Sequence, residues 1–278
     1  MSSLGRGALM VMLSAVCFSA KAIFAKLAFR YGADATTMLA LRMAFSLPFF
    51  AAAGLATGQR GLAQPFTRNE CFKLALLGSA GYYLASWLDF QGLTLVSAGL
   101  ERLILFVYPT LVVLLNVALG LERITPRIGA ALMLCYGGVL LVVWSDHLAG
   151  GSDVALGTTL IFLSAVAYAG YLVGSQPLAL RHGSVRVTAW IMVAMSVCAF
   201  AQFAIENRWQ RLALPWQVYV LGLLTGVVAT VVPAFLLAAG MKRLGTSRAS
   251  LIATVGPVST LLLAYWFLDE PITAIQLA

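Results

Sequence analysis

Six ionisable side chains lie inside long apolar stretches of this chain, and their types and positions could do chemistry. In sequence order they are Lys21, Lys26, Arg42, Asp89, Glu101 and Arg102. A charged group in apolar surroundings is costly, so it indicates a functional site by default. Lys21 and Arg42 are candidates to bind a carboxylate, while Asp89 or Glu101 could accept an ammonium group. Together these residues predict the recognition of a zwitterionic small molecule.

A structural role is the alternative, and it is favoured for the residues nearest the ends of their stretches. Lys26, Glu101 and Arg102 can extend their charged ends toward water. Arg102 can also pair with Asp89 or Glu101. For Lys21 and Arg42 a substrate role and a structural role stay equally open.

Aromatic side chains far from the ends of the apolar stretches form a second group of candidates. They are Tyr82, Trp87, Tyr108, Tyr168 and Tyr171. Tyrosine and tryptophan normally concentrate at the membrane–water interface, and a buried tyrosine needs a hydrogen-bond partner. These five are therefore predicted to line a cavity. The alternative is ordinary helix packing, with each tyrosine hydroxyl on a backbone carbonyl.

The composition predicts the elements that position these residues. The 278 residues are 61% hydrophobic and 10% charged, whereas roughly a quarter of the residues of soluble domains are charged. Crossing a bilayer takes ~20 apolar helical residues. Such runs fall near 7–29, 36–57, 72–92, 98–120, 127–145, 155–179, 187–205, 214–240 and 247–268. They lack the alternation of barrel strands, so the chain is predicted to be an all-α integral membrane protein.

The basic residues predict the orientation of these spans. With the N-terminus in the cytoplasm, the inner loops hold 11 basic residues and the outer loops hold Arg30, Arg208 and Arg211. Cytoplasmic loops of membrane proteins carry this excess. The net charge of +8 is therefore interpreted as a sign of topology in the cytoplasmic membrane and not of nucleic-acid binding.

The second half of the chain repeats the first. A shift of 148 residues aligns Gly78 with Gly226, Gly92 with Gly240, Pro109 with Pro257, and Glu122 with Glu270. The first repeat, residues 1–150, holds five predicted spans, so the second, residues 151–278, enters the membrane from the opposite side, as in many secondary transporters. A ten-helix inverted repeat is predicted, with its tenth helix largely absent from this sequence.

The two aligned prolines are predicted hinges. Pro109 and Pro257 each lie about eleven residues into a span, and therefore near the bilayer midplane. Proline removes a helical hydrogen bond and kinks the helix. Interrupted helices at matching repeat positions indicate the central site of a transporter. The cavity is accordingly expected between spans three, four, eight and nine, with spans one and six closing it.

The sequence resembles the EamA type of the drug/metabolite transporter superfamily, and within it the YddG-like amino-acid exporters. The resemblance rests on "YPTLVVLLNVALGLERITPRIGAALMLCYGGVLLV" (108–142) and "GPVSTLLLAYWFLDEPIT" (256–273). It implies a secondary transporter that exports small organic metabolites, amino acids and aromatic ones among them, by alternating access. A membrane-embedded enzyme or a channel is the alternative. No sequence motif indicates a catalytic group, a metal site or a cofactor, and the oligomeric state stays open.

Overall fold

The structure is a computed structural model, and it describes residues 3–58, 65–121, 152–206, 212–244, 252–253 and 255–272. All regular elements in these residues are helices. The predicted fifth span, the first copy of the repeated motif at Glu122, and the residues after Ile272 lie outside the described ranges.

The described residues form eleven α-helices. In chain order they are α1 (Ser3–Arg30), α2 (Ala35–Gly58), α3 (Arg68–Leu76), α4 (Leu84–Leu93), α5 (Ala98–Leu105), α6 (Tyr108–Ala118), α7 (Ser152–His182), α8 (Ser184–Ile205), α9 (Trp216–Gly226), α10 (Val232–Leu244) and α11 (Val255–Leu268). A π-helical segment, Leu77–Tyr83, joins α3 to α4, and a second one, Val227–Val231, joins α9 to α10.

Within the described residues, six helical stretches are long and apolar enough to cross a membrane. The prediction of an all-helical membrane protein is confirmed in that form. The third predicted span forms one continuous helical run from α3 through the π segment to α4. The fourth is interrupted at residues 106–107, between α5 and α6.

Helix ends follow from local sequence. Thr67 caps α3 through a capping box with Glu70, which satisfies two backbone donors at once. The Ser97 side chain accepts the Leu100 N–H and caps α5. Between α7 and α8, Gly183 has φ +85°, a conformation that glycine adopts at little cost.

The surface of the bundle is apolar and much of its polar content is buried. Large exposed side chains include Phe49, Phe72 and Trp266, as expected of groups that face lipid. Arg42, Asp89 and Glu101 are in contrast 4%, 3% and 0% exposed. Charged side chains in membrane-spanning helices almost always face the interior of the bundle.

Glycines allow two pairs of helices to approach closely. A Cβ atom at Gly78 would lie 2.6 Å from Ala194 Cβ and 2.8 Å from the Ile191 carbonyl oxygen of α8. A Cβ atom at Gly226 would lie 2.8 Å from the Arg42 carbonyl oxygen and 2.9 Å from a Phe45 carbon of α2. Both distances to oxygen are too short for a real Cβ, so the backbones meet only because these residues are glycine.

The same relation recurs at a second pair of contacts. A Cβ atom at Gly92 would meet Ile161 at 2.6 Å and the Gly157 carbonyl oxygen at 2.9 Å, both in α7. A Cβ atom at Gly240 would lie 2.5 Å from a Val11 side-chain carbon and 3.2 Å from the Gly7 carbonyl oxygen, both in α1. Gly92 and Gly240 thus each pack against a glycine of the partner helix.

We predict that Gly78→Ala destabilises the fold by about 1–3 kcal/mol, the usual cost of overpacking. The added methyl group would collide with backbone atoms of α8 and with the Ala194 Cβ, none of which can move aside as a flexible side chain can. Gly170→Ala is the matched control, since a Cβ atom there would have nothing within 4 Å. Thermal unfolding in detergent measures both variants. Equal melting temperatures for the two would contradict the close approach at Gly78.

Candidate functional site

A cavity of about 190 Å³ lies within the helical bundle. Its walls come from α1, α2, α4, α5, α6, α7, α10, both π segments and residue 253. Six of the residues predicted for the site line it, and these are Lys21, Arg42, Tyr82, Asp89, Tyr108 and Tyr168.

A buried ion cluster forms one wall of the cavity. The Lys21 ammonium group donates hydrogen bonds to Asp89 Oδ2 and, at 2.9 Å, to Glu101 Oε1. The Lys21 side chain is 12% exposed, and that of Glu101 is 0% exposed. Three helices, α1, α4 and α5, are thereby joined by two ion pairs that share one cation.

Two arginines line the cavity without a carboxylate partner among the described ion pairs. Arg42 Nε donates to Thr230 Oγ1 at 3.0 Å, and its Nη1 donates to Ser86 Oγ at 3.4 Å. The Arg102 guanidinium lies against Gly256 of α11, where an added Cβ would be 2.9 Å from Nη2. Both arginines therefore bring positive charge to the cavity wall.

Several buried polar atoms at this wall have no hydrogen-bond partner among the described residues. They are Asp89 Oδ1, Glu101 Oε2 and Arg102 Nε. A buried polar atom without a partner is costly, and it deserves a functional explanation. Of these residues, Asp89 and Arg102 line the cavity and Glu101 does not, so one acceptor and one donor belong to its lining.

Three tyrosines, Tyr82, Tyr108 and Tyr168, form a second wall of the cavity, the tyrosine wall. The Tyr168 ring lies edge-on to Tyr108 with centroids 5.2 Å apart, and edge-on to Tyr82 at 5.7 Å. Tyr171 is edge-on to Tyr82 at 5.0 Å but does not line the cavity. Trp87 does not line it either, and it packs in the cluster around α2 and α8. Edge-to-face contacts hold aromatic rings in defined orientations.

Both predicted hinge prolines lie in the first turn of a helix. Pro109 is the second residue of α6, directly after the interruption that separates α5 from α6. Pro257 is the third residue of α11, beside Gly256. Proline is tolerated in a first turn because its missing N–H has no partner there in any case. The break after α5 turns Phe106 and Tyr108 toward the cavity.

Sequence reasoning gave Glu101 and Arg102 a structural role near the membrane edge. The structure brings Glu101 to Lys21, and it is Lys21 and not Arg102 that pairs with the carboxylates. Arg102 lines the cavity, as do Phe18 and Phe106, which the sequence did not single out. The depth of a residue along its own helix does not reveal which neighbouring helices cover it.

On the side of the bundle where α1 ends, Glu270 joins the two halves of the chain. Its carboxylate accepts the Ala98 N–H at 2.9 Å at the start of α5, and it lies 3.5 Å from the Lys26 ammonium group. Arg30 donates to the Leu268 carbonyl oxygen at 2.5 Å. A carboxylate is favourable at a helix N-terminus because of the helix dipole.

At the opposite end, Glu70 makes the corresponding link. Its carboxylate accepts the Thr67 N–H at 2.8 Å, lies 3.0 Å from His182 Nε2, and accepts from Arg181 at 2.9 Å. The Thr67 N–H, His182, the Thr67 hydroxyl and the Arg181 charge together lower the pKa of the Glu70 carboxyl to about 2. Residues at the start of α3 and the end of α7 are held together through this one side chain.

The geometry defines a class of protein, a multi-pass helical membrane protein with a charged cavity enclosed by its helices. The sequence profile of the EamA-like transporter family matches residues 5–144 and again residues 155–278. The chain therefore belongs to the EamA-like transporter family. Membership implies a small-molecule substrate and a lipid bilayer as its surroundings.

Individual relatives agree with this assignment. "Uncharacterized transporter YcbK" of Bacillus subtilis (strain 168) is 29% identical over 276 residues, which is 97% of this chain and 88% of the relative. An "Uncharacterized transporter" of Archaeoglobus fulgidus is 28% identical over 178 residues, 64% of this chain and 61% of its own length. A crystal structure 20% identical in sequence has a TM-score of 0.65 and covers 98% of this chain and 90% of its own; this likeness concerns the fold alone.

We predict that Glu70→Gln lowers stability at every pH from 5 to 8. The pKa of the Glu70 carboxyl in the folded state lies below its ordinary value of ~4.3. Its contribution to stability is therefore fully present above that ordinary pKa and is lost only as the pH falls toward 2. Melting temperatures in detergent across this range measure it. Glu206→Gln, which removes an exposed carboxylate after α8, is the control. A deficit that disappears between pH 8 and 6 would contradict the assignment.

Proposed function

We propose that the protein is a secondary transporter that exports a small organic metabolite of the amino-acid type across the cytoplasmic membrane by alternating access. One observation carries this proposal. Unpartnered donor and acceptor atoms of opposite charge, on Arg102 and Asp89, lie together at the wall of a cavity inside the bundle. A zwitterion offers the complementary pair of charges.

In this proposal each end of the substrate has its own place. The carboxylate binds at Arg42 and Arg102, because their guanidinium groups have no carboxylate among the described ion pairs. The ammonium group binds at Asp89, whose Oδ1 atom is unpartnered. Lys21 was predicted as a carboxylate ligand. Its two ion pairs instead favour a role in positioning Asp89 and Glu101.

The tyrosine wall suits the side chain of such a substrate. Tyr82, Tyr108 and Tyr168 present apolar ring surface next to the charged wall. Ring surface favours apolar and aromatic side chains. Amino acids with such side chains, the aromatic ones included, are therefore the first solutes to test.

Alternating access through an inverted repeat is supported by recurring contacts. Gly78 and Gly226, which are 148 residues apart, each pack against a helix backbone at positions 149 residues apart, Ile191 and Arg42. Two matches to the family profile, one in each half, support the same division of the chain. Halves with like contacts can exchange inward- and outward-facing arrangements by rocking against each other.

A proteoliposome screen of labelled amino acids tests the proposed function. We predict uptake or efflux faster than in empty liposomes for at least one of them. Lys21→Ala is expected to lower the initial rate about tenfold or more, because two buried carboxylates then lose their cation. Lys26→Ala is the matched control. Its ammonium group is 3.5 Å from Glu270, its side chain is 23% exposed, and it does not line the cavity.

The rates are compared at equal amounts of folded protein, measured by gel filtration in detergent. If no amino acid or other organic metabolite moves faster than through empty liposomes, the transport proposal is wrong. If Lys21→Ala and Lys26→Ala have equal, small effects, the ion cluster has no part in transport.

The orientation is a further part of the proposal, with the N-terminus in the cytoplasm. We predict that an impermeant thiol reagent reaches single cysteines placed in the 59–70 loop only from the cytoplasmic side. Cysteines placed in the 146–153 loop should react only from the outside. The background is a variant in which the native cysteines are replaced by serine or alanine. Reactivity of both loops from the reverse sides would refute the orientation, and reactivity of both loops from one and the same side would refute the inverted repeat.

A further inference from the structure

The charges around the cavity do not balance. Three cations, Lys21, Arg42 and Arg102, line it, whereas the buried carboxylates beside them, in the part of the chain that the structure describes, are Asp89 and Glu101. We propose that the transported solute carries one net negative charge, and that Arg102 together with Arg42 holds its acidic groups. This inference rests on the proposed transport function and narrows its substrate class to organic anions.

The other acidic residues of the chain lie, by sequence, at or beyond the ends of its apolar stretches. They are Asp34, Glu70, Glu122, Asp146, Asp153, Glu206, Asp269 and Glu270. The whole stretch from Ile124 to Ser145 contains no carboxylate. Among the residues that the structure describes, the cavity therefore carries an excess of positive charge.

An uncompensated charge inside a membrane protein carries a large cost. Charged side chains in membrane-spanning helices are almost always paired with each other, with carbonyl groups or with water. Lys21 satisfies this rule twice over, through two carboxylates. No carboxylate of the described residues forms an ion pair with Arg42 or Arg102. A solute with one more carboxylate than ammonium groups supplies the missing charge when it binds.

Neutral groups fix the orientation of the Arg42 guanidinium. Thr230 and Ser86 accept its hydrogen bonds, and the Phe90 ring lies 5.8 Å from the guanidinium carbon. None of these partners cancels its charge. Thr230 in turn donates to the Thr225 carbonyl oxygen at 2.8 Å, so its hydroxyl is fixed as an acceptor toward Arg42.

Arg102 is positioned by the absence of a side chain at Gly256. The guanidinium occupies the space where a Cβ of residue 256 would stand, and Ser19 donates to the Gly256 carbonyl oxygen at 2.7 Å. The buried Nε atom is unpartnered. A planar guanidinium binds a carboxylate through two parallel hydrogen bonds, which an ammonium group cannot do. Arg102 is thus assigned as the residue that selects for the extra acidic group.

Matched pairs of solutes test this charge preference in proteoliposomes. Glutamate and glutamine have nearly the same size and differ by one negative charge at neutral pH. Phenylpyruvate and phenylalanine share a ring and differ in the same way. We expect the anionic member of at least one pair to compete for transport about tenfold better than its neutral counterpart, which corresponds to ~1.4 kcal/mol.

Three variants test the role of Arg102, so the inference does not depend on a single mutation. Arg102→Gln should reduce the ratio of anionic to neutral transport to about one, and Arg102→Lys should restore the ratio only in part because the planar fork is lost. Gly256→Ala keeps the charge and displaces the guanidinium, so it should lower the ratio as well. Arg30→Gln is the control, since Arg30 contacts the Leu268 carbonyl away from the cavity.

The outcomes separate this inference from the transport proposal. Equal or better transport of the neutral member in both pairs overturns the inference and leaves the transporter intact. A preference for the anion that persists in Arg102→Gln also overturns the inference. Transport of other solutes, with neither glutamate nor phenylpyruvate transported, overturns it too. If no organic solute is transported by folded protein, the proposed function itself fails.

Discussion

The ion cluster of Lys21 with Asp89 and Glu101 is the interaction on which the rest of the bundle depends. It joins α1 to α4 and α5 across 68 and 80 residues of sequence, and its members are almost entirely removed from water. Losing one partner of a buried ion pair typically costs about 3–5 kcal/mol, because the other charge is left behind. A cluster with one cation and two carboxylates also holds both acidic groups at fixed places on the cavity wall.

Close helix crossings make this cluster possible. Gly78 and Gly226 bring α8 and α2 against neighbouring backbones, and Arg42 lies at the second of these crossings. The Arg42 carbonyl oxygen lies against Gly226, and the Arg42 side chain donates to Thr230, four residues after Gly226. Van der Waals packing of small residues drives helix association in lipid, where apolar burial gives little. Tight packing around a polar interior is therefore the means by which the charges are kept from lipid.

Much of this fold could be predicted from the sequence, because a bilayer imposes long apolar helices on any chain that crosses it. The charged residues of the site were also visible as exceptions to apolar composition. Their pairing was not visible. Lys21 lies 68 and 80 residues from its partners, and only the packing of α1 between α4 and α5 decides that it, and not Arg102, takes the carboxylates. Likewise, Trp87 shared a helix with Asp89, but helix rotation places only Asp89 on the cavity.

That rotation is set by the π-helical segment Leu77–Tyr83. A π turn contains one residue more than an α turn, so every side chain beyond it is turned by about 100° around the helix axis. Gly78 can therefore face α8 while Asp89, further along the same span, faces Lys21. The number of residues between positions 77 and 83 is constrained as tightly as their identity. Removing one of them would preserve hydropathy and helix length, yet it would turn the carboxylate from its cation toward a different neighbour.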